Sequence, residues 1–258
     1  MRQRRCVEVL TLALIFLFGS LISSQVSGDV EEGLVAYFKF EEASGKDIID
    51  ASGLEHDGET IGDADRVEGK FGKGMQFDGK ASHATVPAGT LGTFEAATMT
   101  AWVKVFEMPS INSYNIVGMT SGPGAGFYLE LYGGTLAAWQ CGPNMNASLA
   151  YTAVNEWHHL AAVYTGTEIL ICIDGEQRVK AAGTNLPDVN GMPLMISGNH
   201  AETDNFGGSL DGVVDEVRIY NRALEADEIK DTMEESTGDA AVAPVGKLST
   251  TWAEVKSK

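Results

Sequence analysis

The segment 157–177, WHHLAAVYTGTEILICIDGEQ, decides how this chain folds. Leu160, Ala162 and Tyr164 alternate with His159, Ala161 and Val163, and Thr165-Gly166-Thr167 then breaks the run. Ile169 to Ile173 is a second apolar run, closed by Asp174-Gly175. Short β-rich runs separated by Gly-containing turns are the signature of antiparallel hairpins. A continuous apolar run of this length also suits a buried helix fragment, but its shortness and its isoleucines favour a strand buried on both faces.

The same signals extend in both directions. Upstream, LVAYFKFEE (34–42) reads as a strand, 44–58 as a loop, Glu59–Ile61 as a short strand and 63–74 as turn-rich. MQFDG (75–79) and HATVP (83–87) are short strands, and TMTAWVKVF (98–106) alternates with period two. YNIVGMT (114–120), GFYLELY (126–132) and TLAAWQC (135–141) form a meander, with Gly133-Gly134 as a hairpin turn, and 141–148 follows as a loop. Downstream lie a short strand at 177–181, PLMISGN (193–199), the acidic loop 200–208 and a closing strand near 213–220. LEADEIKDTMEE (224–235) is the one convincing helix, with Leu224, Ile229 and Met233 near one face. Many short strands with regular turn signals imply a sandwich or jelly roll, and no solenoid or propeller period is visible.

The chain ends differ from this body. Residues 1–28 combine a basic start, an apolar run and a small-residue exit, which describes a cleaved secretory signal peptide; an uncleaved anchor is the rival. The run is shorter than the ~20 residues of a membrane span. Removing 1–28 takes away Arg2, Arg4, Arg5 and Glu8, so the net charge of −18 becomes −20. That excess argues against nucleic acid and anionic membrane as partners and suits divalent cations. The expected product is exported, secreted or at the cell surface, with no membrane span in the mature chain. Cys141 and Cys172 are too few for a disulfide scaffold and read as core thiols rather than a bridge. Residues 29–235 form the expected domain, and 236–258 a linker and short tail.

Six stretches in order resemble one family. LVAYFKFEE, DASGLEHDG, KFGKGMQFDG, TMTAWVKV, NEWHHLAAVYTGTEILICIDG and DEVRIYNRALEADEI look like the successive motifs of laminin-G-like, concanavalin A-like lectin/glucanase domains. Phe38 stands where tryptophan is usual and Cys172 where an aromatic is usual. The resemblance implies an all-β, two-layer antiparallel jelly-roll sandwich with one short C-terminal helix. It places the first and last strands side by side, Tyr37–Phe40 near Val217–Tyr220, which removes two exposed edges. It also assigns Trp102 and Trp157 to the core.

The chemistry points to binding. No Glu-x-Asp-x-x-Glu strand, His-Glu-x-x-His, Gly-x-Ser-x-Gly or phosphate loop occurs. Adjacent His158 and His159 face opposite sides of a strand and cannot share a metal, one half-buried against Trp157 and the other exposed. The resemblance implies a structural Ca²⁺ held by Glu41, Asp50 and Asp215; the competing reading has Asp50 capping a turn and Asp215 bonding the backbone. Asp174 belongs to its turn. Sugar binding needs aromatic faces beside amides and carboxylates, and the candidates are Tyr128, Tyr132 and Trp139 with Asn144, Asn199 and Asn205. The expectation is a non-catalytic carbohydrate-binding module. A cell-surface protein-interaction or adhesion module and a cryptic glycan-active hydrolase are the alternatives.

Overall fold

Apolar alternation in this chain builds two facing sheets. The computed structural model describes residues 30–109, 113–122, 125–140, 146–183, 189, 191–198 and 207–234. In the eight-stranded sheet the order is β14 (Glu176–Ala182), β13 (Glu168–Ile173), β12 (Trp157–Tyr164), β7 (Ala97–Val105), β17 (Asp211–Tyr220), β5 (Lys73–Asp78) and β4 (Asp65–Glu68). The remaining strand, β1 (Leu34–Phe38), also pairs with β17. In the nine-stranded sheet the order is β11 (Asn146–Ala150), β10 (Thr135–Gln140), β9 (Ala125–Tyr132), β8 (Ser113–Gly122), β15 (Leu194–Ile196), β6 (His83–Val86), β3 (Gly58–Ile61) and β2 (Asp47–Ile48). β16 (Gly207–Gly208) runs parallel to β8. The architecture is the expected antiparallel jelly-roll sandwich.

The first and last strands meet as the resemblance implies. Leu34 pairs with Tyr220 and Phe38 with Val217. β17 is shared along its length: Asp211–Val214 pair with β5, and Val217–Tyr220 pair with β1. The changeover is a bulge between Asp215 and Arg218, within which Glu216 takes φ 52°. A bulge re-aims side chains and ends one pairing before another begins.

The inner faces carry Met99, Ala101, Val103 and Val105 from β7, Leu160 and Ala162 from β12, and Phe127, Leu129 and Leu131 from β9, all buried in one core. The outer face of the eight-stranded sheet is roofed by the helix α1 (Ala226–Asp231). Ala161, Val163, Cys172 and Tyr220 pack there against Leu224 and Ile229. Both carboxylate oxygens of Glu228 receive the Arg222 guanidinium, at 2.7 and 2.8 Å, which fixes the start of the helix.

Several expectations are corrected. Asp47–Ile48 and Asp65–Glu68 are strands where loop was expected, because edge strands need no apolar alternation once a neighbour supplies the register. Arg66 ties these two edges together, bonding Glu42 Oε2 at 2.8 and 3.0 Å and the Asp47 carbonyl at 2.6 Å. Asn146–Ala150 is likewise a strand, and the helix spans only six residues. Trp102 and Trp157 lie outside the inter-sheet core. Period two puts them out of phase with Ala101 and Val103, and Trp157 pairs with Lys104 on the outward side.

Trp102 is nevertheless buried: its indole donates to the Met233 carbonyl at 3.3 Å, and Lys70 Nζ lies 3.9 Å from its ring centroid. The histidines do face opposite ways, but the buried one is His159, against Trp102 rather than Trp157. His158 is partly buried and bonds Asp174 Oδ2 at 2.8 Å. Cys172 is a free, buried thiol, and Cys141 lies outside the described residues.

Candidate functional site

Two clusters hold the residues that the sequence singled out. The first surrounds the turn Gly69-Lys70-Phe71-Gly72, closed by the Gly69 N–H on the Gly72 carbonyl at 3.1 Å. Asp215 Oδ2 accepts the N–H groups of Lys70 at 2.8 Å and Phe71 at 3.0 Å, and Oδ1 accepts its neighbour Glu216 N–H. Glu41 Oε1 accepts the Lys73 N–H at 2.8 Å. Burial pushes the Asp215 carboxyl up to about 7, against the pull of those N–H groups.

Asp50 stands elsewhere, beside β1. Its Oδ1 accepts the N–H groups of Tyr37 and Ser52, and its Oδ2 accepts the Ser52 hydroxyl at 2.7 Å and the His56 N–H at 3.0 Å. The fit to Ca²⁺ is therefore poor. A calcium ion needs six to eight converging oxygens, whereas oxygens of all three carboxylates here hold backbone N–H groups. Among the described residues no group of three or more acids, histidines or cysteines is placed to hold a metal. Geometry favours the competing reading, in which these acids shape loops.

The second cluster is the outer face of the nine-stranded sheet. Strand β9 alternates, so Phe127, Leu129 and Leu131 enter the core while Tyr128, Glu130 and Tyr132 take the opposite face. Tyr132 is 52 % exposed, whereas Tyr128 and Glu130 are buried within that face. In register, Tyr132 lies between Thr135 and Ser113, Glu130 between Ala137 and Asn115, and Tyr128 between Trp139 and Gly118.

Asn115 is 2 % exposed; its Nδ2 donates to the Gly198 carbonyl at 2.9 Å, and its Oδ1 is buried without a hydrogen-bond partner. Of the predicted ligand residues, the structure thus brings Tyr128 and Tyr132 together and pairs the backbone of Trp139 with Tyr128. Asn144, Asn199 and Asn205 lie outside the described residues. Glu130 and Asn115 were missed. The alternation of GFYLELY carried the signal for Glu130, which is in phase with both tyrosines; nothing comparable marked Asn115.

Comparison with known proteins places the fold. The family model of the concanavalin A-like lectin/glucanases superfamily matches residues 78–230, and the chain belongs to that superfamily. No curated protein matches it in sequence. Among solved structures it is similar to domain 4 of AbnA, a GH43 extracellular arabinanase from Geobacillus stearothermophilus, in complex with arabinotriose. That likeness has a TM-score of 0.59 at 19% identity and covers 78% of this chain and 98% of that one.

It is also similar to the binding domain of botulinum neurotoxin DC in complex with SialylT, with TM-score 0.59, 11% identity, and coverage of 79% of this chain and 51% of that one. A sialidase from Trypanosoma rangeli gives TM-score 0.60 at 19% identity, covering 77% of this chain and 32% of the sialidase. The chain therefore spans about half of the toxin domain and a third of the sialidase. No helix among the described residues is long and apolar enough to cross a membrane.

Proposed function

We propose that this chain is an exported, non-catalytic glycan-binding module whose ligand face is the outer side of the nine-stranded sheet. One observation carries the reading: Tyr128, Glu130 and Tyr132 form a single outward row, flanked by Asn115 on the next strand. An aromatic face beside carboxylate and amide acceptors is the chemistry that grips a sugar ring and its hydroxyls. The arabinotriose-bound arabinanase domain, nearly coextensive with this fold, supports it. Hydrolysis would need a second carboxylate about 5–10 Å from Glu130, and the adjoining strands β8 and β10 contain no acid.

The test is a glycan array followed by calorimetry on the best binder, with Tyr132→Ala alongside. The variant is expected to bind about tenfold more weakly, the worth of one aromatic contact of about 1.4 kcal/mol, with its melting temperature unchanged. Absence of any glycan ligand, or undiminished binding by the variant, refutes the proposal. Retention of a protein ligand alone assigns the chain to adhesion instead.

A further inference from the structure

Independently of the sugar face, we infer that the chain binds a divalent late transition ion, Zn²⁺ or Cu²⁺, at the start of β12. His158 Nε2 and the Glu156 carboxylate are its ligands, and Asp174 holds the ring from behind. His158 is in phase with Leu160 and Ala162, which lie in the inter-sheet core, so a polar ring stands where the alternation of β12 calls for an apolar one. Glu156, in the bend that leads into β12, brings Oε2 to 3.8 Å from His158 Nε2. Asp174, in the turn between β13 and β14, takes the other nitrogen: its Oδ2 accepts the Nδ1–H at 2.8 Å. Asp174 is itself fixed at both ends. Its Oδ1 accepts the His159 N–H at 2.9 Å, and its own N–H donates to the His159 carbonyl at 2.8 Å.

A carboxylate is an acceptor only, so Asp174 sets the tautomer of the neutral His158 ring, with the proton on Nδ1 and the lone pair on Nε2. A carboxylate behind an imidazole is the arrangement that orients a metal-ligating histidine and raises its basicity. Nε2 is buried with no hydrogen-bond partner, and 3.8 Å is too long for a bond to Glu156. Two electron-pair donors therefore face one point. Zn²⁺ bonds nitrogen and oxygen donors at about 2.0–2.2 Å, so a single ion reaches both. Tyr151 is the second, independent observation. It is 6 % exposed, its hydroxyl is buried without a partner, and its ring stands edge-on to His158 with centroids 6.0 Å apart. Burial, with the charges of Asp174 and Glu156, holds this phenol well above its ordinary range, so it stays an O–H donor suited to a water carried by the ion. Asp174 lies on the far nitrogen and does not reach the ion, so the protein supplies two donors and water the rest. Imidazole with carboxylate suits zinc and copper, whereas calcium wants six to eight oxygens. The Glu156 side chain is 76 % exposed, which opens the site to solvent, and the net charge of −18 draws cations toward it.

The experiment titrates the chelator-stripped full chain with Zn²⁺, and separately with Cu²⁺, by calorimetry at neutral pH in excess Ca²⁺ and Mg²⁺. Wild type is compared with His158→Gln, Glu156→Gln and Asp174→Asn. Wild type is expected to take up an ion that His158→Gln does not, and to melt at a higher temperature with it. Asp174→Asn is expected to weaken uptake about 10–100-fold, and Glu156→Gln several-fold. Glu156→Gln changes an exposed side chain, so it keeps the test decisive should either of the other variants fail to fold. Imidazole nitrogen spectra give a second readout: Zn²⁺ should shift Nε2 of His158 and leave its Nδ1–H in place. Uptake that Glu156→Gln and His158→Gln leave unchanged overturns the inference, as does displacement of the ion by Ca²⁺. Uptake of neither ion, with a bridging water as the occupant, also overturns it. The glycan-binding reading stands or falls separately, because its face belongs to the other sheet.

Discussion

Oδ2 of Asp215 accepts the backbone N–H of Phe71 at 3.0 Å, joining residues 144 positions apart in sequence. With Glu41 on the Lys73 N–H, it clamps the 69–73 turn between carboxylates from opposite ends of the chain. The glycines of that turn follow from the clamp. A Cβ on Gly69 would lie 2.6 Å from Asp215 Oδ2, and one on Gly72 would collide with the Glu41 carboxylate. Glu41 and Asp215 reach the same turn without Asp50, and what they grip is backbone.

That clamp makes stability depend on pH. Burial raises the Asp215 carboxyl to about 7, so the native state holds this proton more tightly than the unfolded chain, whose aspartates titrate near ~3.9. Its contribution is fully present below about pH 4 and is lost as pH rises through about 7. Asp215→Asn removes the titration at the cost of one mismatched N–H contact, about 1–3 kcal/mol. Melting curves at about pH 5 and pH 8 should therefore show wild type losing its advantage over the variant as pH rises; a constant gap would contradict this.

His159 acts with the opposite sign. Burial, helped by the Arg218 charge and opposed by Asp174, lowers its pKa to about 3. The unfolded chain then binds the extra proton first, so the stability this neutral imidazole contributes is present above about pH 6.5 and is lost as pH falls toward 3. The Thr232 hydroxyl donates to the Ile229 carbonyl at 2.7 Å, so His159 Nε2–H donates to it across 3.2 Å, and the added proton falls on Nδ1, which is buried without a partner. Replacing His159 with Gln is expected to flatten the acid limb of the urea midpoint against pH. An unchanged acid limb would assign the loss to other groups.

Legibility followed the strength of the local pattern. The hairpin at 157–177 could be read because apolar alternation and turn residues repeat there without interruption, whereas the pairing of Phe38 with Val217 came from the resemblance to the laminin-G-like family. Strand β4 could not, since Asp65, Arg66 and Glu68 hold their conformation through Gln76, Met75 and Lys73 across the ladder rather than through burial of their own. The outward turn of Trp102 was missed for a related reason. Hydrophobicity alone does not say which face of a strand will be roofed, and the roof here comes from Thr232 and Met233, far along the chain. Glu130 was present in the alternation of its own strand but was overlooked beside two tyrosines.

Arg218 and Glu216 form an ion pair at 2.6 Å with both side chains nearly buried. The guanidinium also lies 4.1 Å from the Tyr37 ring centroid and donates to the Thr232 carbonyl at 2.8 Å. Arg218→Met leaves the Glu216 charge without its partner and is expected to cost about 3–5 kcal/mol. Adding Glu216→Gln should recover part of that loss, measured as a double-mutant cycle in urea. Glycan affinity of the folded fraction should not move, because this pair sits on the other sheet. Additive losses would show that the two groups do not depend on each other.

Gly118 offers a sharper probe of the ligand face. A Cβ there would collide with the Tyr128 Cβ and lie 2.7 Å from the Tyr128 Cα, so the obstacle is a neighbouring backbone and not the free end of a side chain. Gly118→Ala must therefore push β8 away from β9, at an expected cost of about 1–3 kcal/mol. The row of Tyr128, Glu130 and Tyr132 moves with β9, so glycan affinity should fall even at temperatures where the variant is fully folded. Gly191→Ala is the control: its Cβ would meet nothing within 4 Å, and its stability should stay within about 0.5 kcal/mol of wild type. A folded Gly118→Ala protein with wild-type affinity would move the sugar site away from this face.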